Sequence, residues 1–204
     1  MYIKTLVVGQ LQTNCYIVTD EKTLDCAVID PGAFGTVILD YLEENKLKAK
    51  AIFLTHGHFD HTGAVEALKE ATGADVYINC LDCQTDEHSP MRYKAPEGTK
   101  YYSEGDVINV SGLRFEVLET PGHSQGSVTL KCEDALFTGD TLFRDSCGRT
   151  DMNGGSMEIL LKSLKRLYEL EGDFEVYPGH ADQSSLSRER NYNYYMKYAV
   201  NECE

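Results

Sequence analysis

The sequence predicts an α/β fold of the αββα type, a sandwich of two mixed β-sheets with helices on the outer faces. Three observations support this prediction. Short apolar runs of strand-like composition occur in both halves of the chain, segments with helical apolar spacing lie between them, and no internal repeat or low-complexity tract interrupts the pattern. With 204 residues, the chain has the size of one ordinary domain, so we expect a single domain over residues 1–204.

The first third of the chain predicts a sheet that begins with antiparallel strands. Apolar runs at Ile3–Val8, Cys15–Thr19 and Cys26–Asp30 are separated by turn residues, and Pro31-Gly32 stops the third run. Together these runs predict an antiparallel meander. Within Gly35–Leu47 the apolar residues recur at helical spacing between Lys and Glu, which predicts a helix.

Strands and helices alternate in the rest of the chain. A helix is predicted from Thr62, its N-cap, to Ala71, with Gly73 as its stop signal. The polar stretch Cys80–Gly105 predicts a short helix and a long loop. The other predicted elements are strands at Ala51–Thr55, Asp75–Ile78, Asp106–Val110, Arg114–Glu119, Ser127–Cys132, Ala135–Thr138 and Glu175–Tyr177, a helix at Met157–Leu170 capped by Ser156, and a last helix from about Ser184.

Composition excludes several classes of partner. Asp and Glu outnumber Lys and Arg by 33 to 19, a net charge of −14, so no binding to nucleic acid or to an anionic membrane surface is expected. The apolar stretch within Met1–Leu11 is interrupted by Lys4 and Gly9 and does not have the pattern of a signal peptide. No segment approaches the about 18 apolar residues of a membrane span. We therefore expect a cytoplasmic protein that acts on a small molecule.

The cysteines favour the same compartment. There are seven, an odd number scattered along the chain, which suits a reducing environment better than a disulfide framework. Cys80-Leu81-Asp82-Cys83 is the one CxxC sequence. Thiols on a helix are the favoured interpretation of this segment, and a zinc or redox site is the alternative.

Three of the six histidines lie within one short segment, His56-Gly57-His58-Phe59-Asp60-His61. On a helix, residues two apart point about 200° away from each other, so His56 and His58 could not face one metal ion. In a loop directly after a strand, tightened by Gly57, they can. The segment is therefore predicted to follow a strand at its C-terminal end.

Other potential ligands follow strands in the same way. His123, Asp140 and His180 each come within a few residues of the end of a predicted apolar strand. Any one of them alone would be interpreted as a turn residue, but five imidazoles and two carboxylates at one edge indicate a cation. The predicted metal ligands are His56, His58, Asp60, His61, His123, Asp140 and His180. His88 is left outside this set, and we interpret it as a surface or lid residue.

Together these motifs resemble a known family, the metallo-β-lactamase-fold hydrolases, and in particular the short glyoxalase II-like (hydroxyacylglutathione hydrolase-like) proteins. The resemblance covers nearly the whole chain. Its motifs are Gln12-Thr13-Asn14-Cys15-Tyr16, Asp30-Pro31-Gly32, Thr55–His61, Pro121-Gly122-His123-Ser124, Gly139-Asp140-Thr141-Leu142-Phe143, Gly148-Arg149-Thr150-Asp151 and Pro178-Gly179-His180.

The resemblance implies a metallo-β-lactamase fold and a dinuclear metal-dependent hydrolase. It assigns His56, His58 and His123 to a first metal site, Asp60, His61 and His180 to a second, and Asp140 to a bridging position. Nitrogen and carboxylate ligands with open positions suit two divalent ions, Zn²⁺ first and Fe or Mn as alternatives. The expected reaction is attack of a metal-bridging hydroxide on a thioester, with Asp60 as the catalytic residue that orients the hydroxide.

The sequence motifs define the substrate less closely than they define the reaction. After His180 the sequence lacks the basic helical region with which full-length glyoxalase II enzymes hold glutathione, and the segment Asp151–Ser156 departs from the family's Asp-x-Pro-Gly-Gly-Asp. Arg149 is predicted to bind a substrate anion or the thiol carrier, and pairing with Asp151 is the alternative. Arg144, Arg92 and Lys94 could add positive charge, although each is more simply a surface residue.

Two other functions stay open. The segment Gly148–Asp151 also resembles persulfide dioxygenases of the same fold, which use one iron held by residues that match His56, His123 and Asp140. A noncatalytic module with a structural metal is the second alternative, and it predicts closed tetrahedral sites. The net charge argues against a nuclease, and the ligand set argues against a β-lactamase, because His61 and Asp140 fit the hydrolase pattern better.

Overall fold

The structure, a computed structural model, describes residues 1–83 and 93–202. These residues contain fourteen strands and six α-helices. The strands are β1 (Tyr2–Val8), β2 (Thr13–Thr19), β3 (Asp25–Ile29), β4 (Lys48–Phe53), β5 (Asp75–Ile78), β6 (Lys100–Tyr101), β7 (Val107–Val110), β8 (Leu113–Glu119), β9 (Val128–Cys132), β10 (Ala135–Gly139), β11 (Leu142–Phe143), β12 (Ser146–Cys147), β13 (Glu175–Pro178) and β14 (Ser184–Ser185). The helices are α1 (Gly35–Glu44), α2 (Phe59–Thr62), α3 (Val65–Thr72), α4 (Met157–Tyr168), α5 (Leu186–Tyr192) and α6 (Tyr194–Glu202).

Two six-stranded mixed sheets form the centre of the fold. The first has the order β1-β2-β3-β4-β5-β6, antiparallel from β1 to β3 and parallel from β3 to β6. The second has the order β14-β13-β10-β9-β8-β7 and is antiparallel except where β10 pairs with β13. Strands β11 and β12 form a separate small hairpin. The predicted αββα sandwich and its initial antiparallel meander are confirmed.

Aromatic side chains fill the space between the two sheets. Phe53 of β4 meets Phe115 of β8 at a ring-centroid distance of 4.9 Å, and Tyr16 of β2 meets Phe137 of β10 at 5.3 Å. Because successive strand residues point to opposite faces, the neighbours of these residues face outward, toward the helices. The central strands β2, β3, β9 and β10 are therefore buried on both sides, which explains their nearly continuous apolar runs.

The helices cover the outer faces of the sheets. On the first sheet, Ile17 and Ile52 pack in one cluster with Ile38 of α1 and Leu68 of α3. On the second sheet, the apolar face of α4 and part of α6 complete the fourth layer. The residues of that cluster include Leu136, Val176, Leu160, Leu164 and Met196.

Helix α4 and the end of α3 follow their predicted boundary signals. The Ser156 side chain accepts a hydrogen bond from the Ile159 amide and caps α4, as predicted. Gly73 ends α3 in the left-handed conformation, with φ 69°.

The predicted start of the second helix at Thr62 is wrong. Thr62 is the last residue of α2, and α3 begins at Val65. The interruption has a tertiary cause, since a Cβ on Gly63 would lie 2.3 Å from the carbonyl oxygen of Gly32, and the Ala64 amide donates to the Pro31 carbonyl at 2.9 Å. The chain must bend here to pack against that turn.

The last predicted helix also differs from the structure. It begins at Leu186, two residues after the expected start near Ser184, because Ser184 pairs with Val176 as part of β14. Asn193 then divides it into α5 and α6, since its side-chain oxygen accepts hydrogen bonds from the amides of Tyr195 and Met196. An Asn side chain that satisfies the first amides of a helix favours a helix start at that position.

The long loop predicted at Cys80–Gly105 contains a 3₁₀ turn at Cys80–Asp82 and the short strand β6. His88 and Arg92 lie outside the described residues, so the predictions about them stay predictions. Among the described residues, no helix has the length and apolar character needed to cross a lipid bilayer.

Side chains of the C-terminal helical region hold the hairpin β11–β12 in place. Asn193 donates from its side chain to the carbonyls of Phe143 and Ser146 at 3.2 and 2.9 Å. The buried carboxylate of Glu189 accepts hydrogen bonds from Asn193 and from the Asp145 amide. These contacts fix one wall of the cavity described below.

Candidate metal centre

All seven predicted ligands lie together, at the same end of both sheets. His56, His58, Asp60 and His61 follow β4, whereas His123, Asp140 and His180 follow β8, β10 and β13. The C-terminal ends of these strands meet at one edge of the sandwich, which brings together side chains that are as far as 124 positions apart in the sequence.

The first group of side chains is His56, His58 and His123. Their ring nitrogens lie within 4.8 Å of one another, and all three rings are buried. His58 Nδ1 and His123 Nε2 are 2.8 Å apart. The group has the three-nitrogen composition that protein sites offer to zinc and similar ions.

The second group is Asp60, His61 and His180, whose potential ligand atoms also lie within 4.8 Å of one another. Asp60 and His61 are on the short helix α2. The His180 Nε2 atom is 3.2 Å from Asp60 Oδ2 and 3.4 Å from His61 Nε2. This set combines two nitrogens with one carboxylate.

Asp140 lies between the two groups. Its Oδ1 is 3.4 Å from His61 Nε2, and its Oδ2 is 3.4 Å from His123 Nε2. A Cβ on Gly179 would stand 2.3 Å from Asp140 Oδ1, so a side chain at position 179 would occupy the space of this carboxylate. Asp140 is thus a carboxylate with one oxygen close to a histidine of each group.

Two buried atoms of the cluster lack a hydrogen-bond partner, His56 Nε2 and Asp140 Oδ1. A buried polar atom without a partner is unfavourable unless a ligand satisfies it. Ring nitrogens and carboxylate oxygens that converge within a few ångströms are the donor set of divalent transition metals. The His/Asp cluster therefore fits metal ions.

Burial sets the charge of the first group. Burial first, and the nearby His123 second, lower the pKa of His58 to about 4. Burial also holds the pKa of His56 well below its usual value, assisted by the neighbouring histidines. Both rings are neutral near pH 7, the form that binds metal.

Ion pairing sets the charge of the second group. Burial opposes a positive charge on both histidines. At His61 the carboxylates of Asp140 and Asp30 outweigh burial and raise the pKa. At His180 the carboxylates of Asp60 and Asp140 do the same. Burial likewise opposes charge on Asp60, yet the hydrogen bond with His180 leaves its pKa at about 2. The two carboxylates of the cluster are thus anionic, since the pKa of Asp140 is lowered as well.

Asp30 positions the second group, a role that the sequence did not reveal. Its Oδ2 is 2.9 Å from His61 Nδ1, and the carboxylate also accepts from the amide and hydroxyl of Thr55 at 2.8 and 2.6 Å. His61 therefore presents Nε2 to the cluster. The motif Asp30-Pro31-Gly32 belongs to the family resemblance and was the available signal, but the resemblance assigned no role to Asp30.

Asp82 joins the two loops of the first group. The carboxylate accepts from the Gly57 amide at 2.8 Å, between His56 and His58, and from the Gly126 amide and the Ser124 hydroxyl, both at 2.6 Å, just after His123. Asp82 is only 8% exposed. In the sequence, only the thiols of Cys80 and Cys83 mark this segment as a candidate site, and no local pattern marks the carboxylate between them.

Those thiols do not join the cluster. Cys80 is exposed and Cys83 is half-buried, and both are free. Within residues 1–83 and 93–202, no group of three potential metal ligands includes either of them. The described part of the chain thus gives no support to a zinc site at this CxxC.

The N-terminal strands hold the loop that carries His180. Asn14 donates from its side chain to the carbonyls of Pro178 and Ala181 at 3.0 and 2.9 Å, and His180 Nδ1 lies 3.0 Å from the Leu11 carbonyl oxygen. The motif Gln12–Tyr16 belongs to the family resemblance, but no function had been attached to it. Its side chains orient His180.

A cavity of about 510 Å³ opens beside the cluster. Arg149 lines it, and its guanidinium is paired with Asp151 through two hydrogen bonds of 2.6 and 2.7 Å. The Arg149 carbonyl oxygen lies 2.7 Å from His123 Nδ1. The structure thus places Arg149 both at the cavity and in the predicted pair with Asp151. The lining residues are Leu11, His58, Phe59, Asp60, His123, Asp140, Phe143, Ser146, Cys147, Arg149, Met152 and His180.

The other candidate cations lie elsewhere. The Arg144 guanidinium is 3.6 Å from Asp182, and Lys94 is exposed. Neither lines the cavity.

Comparison with known proteins relates this geometry to a family. A family model described as the metallo-beta-lactamase superfamily matches residues 8–180. An uncharacterized protein of Aquifex aeolicus is 41% identical over 95% of this chain and 96% of its own length. The hydroxyacylglutathione hydrolase GloC of Haemophilus influenzae is 31% identical over 96% of this chain and 98% of its own.

Solved structures show the same fold. The B3 metallo-beta-lactamase BLEG-1 superposes with a TM-score of 0.85 at 30% identity, over 96% of this chain and 99% of its own. TTHA1623, solved in a di-iron-bound form, has a TM-score of 0.82 at 35% identity, over 94% and 99%. ETHE1 from Myxococcus xanthus has a TM-score of 0.81 at 29% identity, over 100% and 92%.

Proposed function

The chain belongs to the metallo-beta-lactamase superfamily of metal-dependent hydrolases, and we propose that it holds two divalent ions and cleaves a thioester. The observation that carries the proposal is the position of Asp140, whose two oxygens each lie 3.4 Å from a histidine of a different group. A carboxylate that bridges two ions needs this arrangement. His56, His58 and His123 would hold one ion and Asp60, His61 and His180 the other, with Asp140 shared.

Two such ions, Zn²⁺ or alternatively Fe or Mn, would polarise the acyl carbonyl and lower the pKa of a bound water to about 7. The chain's own residues supply orientation. Asp60 Oδ2 is 3.3 Å from the Thr13 hydroxyl and 3.2 Å from His180 Nε2. Asp60 lines the cavity, so this fixed, anionic carboxylate can accept a hydrogen bond from the attacking water and orient it toward the substrate carbon.

A thioester suits the groups that line the cavity. Among the described lining residues, none is a Lys or a Glu that could protonate a poor leaving group. A thiolate leaves without a strong general acid, because a thiol has a pKa of about 8.5. The similarity to GloC supports the same reaction class.

The test combines metal analysis with a substrate panel. We expect the purified protein to bind close to two metal ions per chain, to hydrolyse thioesters, and to lose this activity on exhaustive chelation and regain it when metal is restored. Thioester hydrolysis that persists in a sample with almost no metal would contradict the proposal.

The same samples test the second candidate, an iron persulfide dioxygenase, which the Gly148–Asp151 segment favours. One iron per chain and oxygen consumption with a persulfide would support the dioxygenase and exclude the hydrolase. A β-lactam in the panel tests the reaction named for BLEG-1.

Arg149 is proposed to bind an anionic part of the substrate. Its guanidinium is 64% exposed at the cavity, and a substrate carboxylate would compete with Asp151 for it. We expect Arg149→Ala to raise KM several-fold for anionic thioesters and to leave neutral ones unchanged. An equal loss of activity on all substrates, or a lower Tm, would show instead that the Arg149–Asp151 pair shapes the loop.

A further inference from the structure

Large apolar side chains stand exposed at the mouth of the cavity. Phe59 and Leu11 are 55% and 54% exposed, and they line the cavity together with Phe143 and Met152. We call these four residues the apolar subsite. Exposed apolar side chains that converge on a concave site lose unfavourable contact with water when a ligand covers them.

The apolar subsite is fixed relative to the ligand cluster. Phe59 stands between His58 and Asp60 at the start of α2. The Leu11 carbonyl oxygen lies 3.0 Å from His180 Nδ1, and the Phe143 ring meets the His180 ring edge to face, with centroids 6.1 Å apart. A group bound by these side chains would therefore be close to the reacting bond.

The charges around the cavity also favour an apolar ligand. Outside the His/Asp cluster, Arg149 is the one charged side chain among the described lining residues, so the cavity offers a partner to a single anionic group. Cys147 is neutral near pH 7, because burial raises its pKa to about 11. An apolar group finds more complementary surface here than a highly charged one does.

Resting on the proposed thioester hydrolysis, we infer that the enzyme selects thioesters that carry an apolar chain or ring on one side of the thioester bond, and that the apolar subsite binds this group. The apolar group can belong to the acyl part or to the thiol part, and both have the same chemistry. Each methylene that enters the subsite should increase kcat/KM by about two- to fourfold until the subsite is full.

Two series of neutral thioesters test this inference on the metal-loaded enzyme. One lengthens the acyl chain on a small neutral thiol, and the other lengthens the thiol of an acetyl thioester. We expect kcat/KM to rise with chain length in one series, which identifies the part that is bound. Phe59→Ala and Leu11→Ala should flatten this dependence, and Phe59→Leu should restore most of it.

Phe34→Ala is the matched control. Phe34 is 57% exposed, nearly the same as Phe59, but it does not line the cavity, so its replacement should leave the chain-length dependence unchanged. Hydrolysis that is independent of chain length in both series would overturn the inference. So would an equal effect of Phe34→Ala and Phe59→Ala.

Calorimetric titration with thioether analogues, which cannot be hydrolysed, gives a second readout. Affinity that increases with chain length in the wild type and not in Phe59→Ala would support the apolar subsite even if no thioester were cleaved. In that case only the proposed function would fail. Hydrolysis without any dependence on apolar length would instead defeat the inference and leave the proposed function standing.

Discussion

Replacement of Asp140 by alanine should reduce hydrolysis by about 10³-fold or more and leave less than one metal ion per chain. The carboxylate has one oxygen close to a histidine of each proposed site, so its loss weakens both. A Lewis acid at the acyl oxygen stabilises the transition state by several kcal/mol, and a loss of about 4 kcal/mol corresponds to a 10³-fold lower rate. Metal analysis and steady-state kinetics on the same sample measure the two effects.

Two further variants make the Asp140 result specific. His123→Ala removes a ligand of the first group only, so it should leave about one ion bound in the second. Asp134→Ala removes an exposed turn carboxylate at the other end of β10 and should behave as wild type. Near-normal turnover of Asp140→Ala would mean that Asp140 is only a turn residue after its strand.

Asp82→Ala should selectively weaken the first metal site. The Asp82 carboxylate ties the Gly57 amide to the Ser124 and Gly126 loop, and so fixes His56 and His58 relative to His123. Loss of a group that orients metal ligands reduces metal affinity or activity by about 10- to 100-fold. After dialysis against a weak chelator, the variant should retain about one metal ion where the wild type retains two.

Asp20→Ala is the control for the Asp82 experiment. Asp20 is also 8% exposed and accepts the same kinds of hydrogen bond, from the amides of Lys22 and Gly112 and the hydroxyl of Thr23, but in a turn that carries no ligand. It should lose stability without losing metal. Equal losses of metal in Asp82→Ala and Asp20→Ala would show that the Asp82 effect is general destabilisation.

Sequence patterns predicted the layers of this fold well because both sheets are covered by helices. The strands are continuous apolar runs, and α4 has a clear polar cap in Ser156. The pattern failed where tertiary contacts outweigh local preference. Close packing of Gly63 on Gly32 interrupts the helix that was expected to start at Thr62, and Asn193 caps a new helix inside the one expected from Ser184.

The candidate ligands were identifiable because each follows an apolar strand. The side chains that orient them were not identifiable as positioning residues. Asp30 and Asp82 act through partners distant in the sequence, and a single carboxylate in a turn looks the same whether or not it positions a ligand. Spacing within one chain cannot reveal hydrogen bonds that depend on how two loops meet.

The contact between Asn14 and the loop that carries His180 bears on when the metal centre can form. This contact joins residues 164 positions apart, and it depends on the packing of both sheets. During synthesis, the histidines of His56–His61 emerge early, but their partners on the second sheet emerge much later. Capture of metal should therefore coincide with completion of the fold, since contacts between distant parts of a chain form late. The bound ions would then stabilise the finished protein rather than its nascent chain.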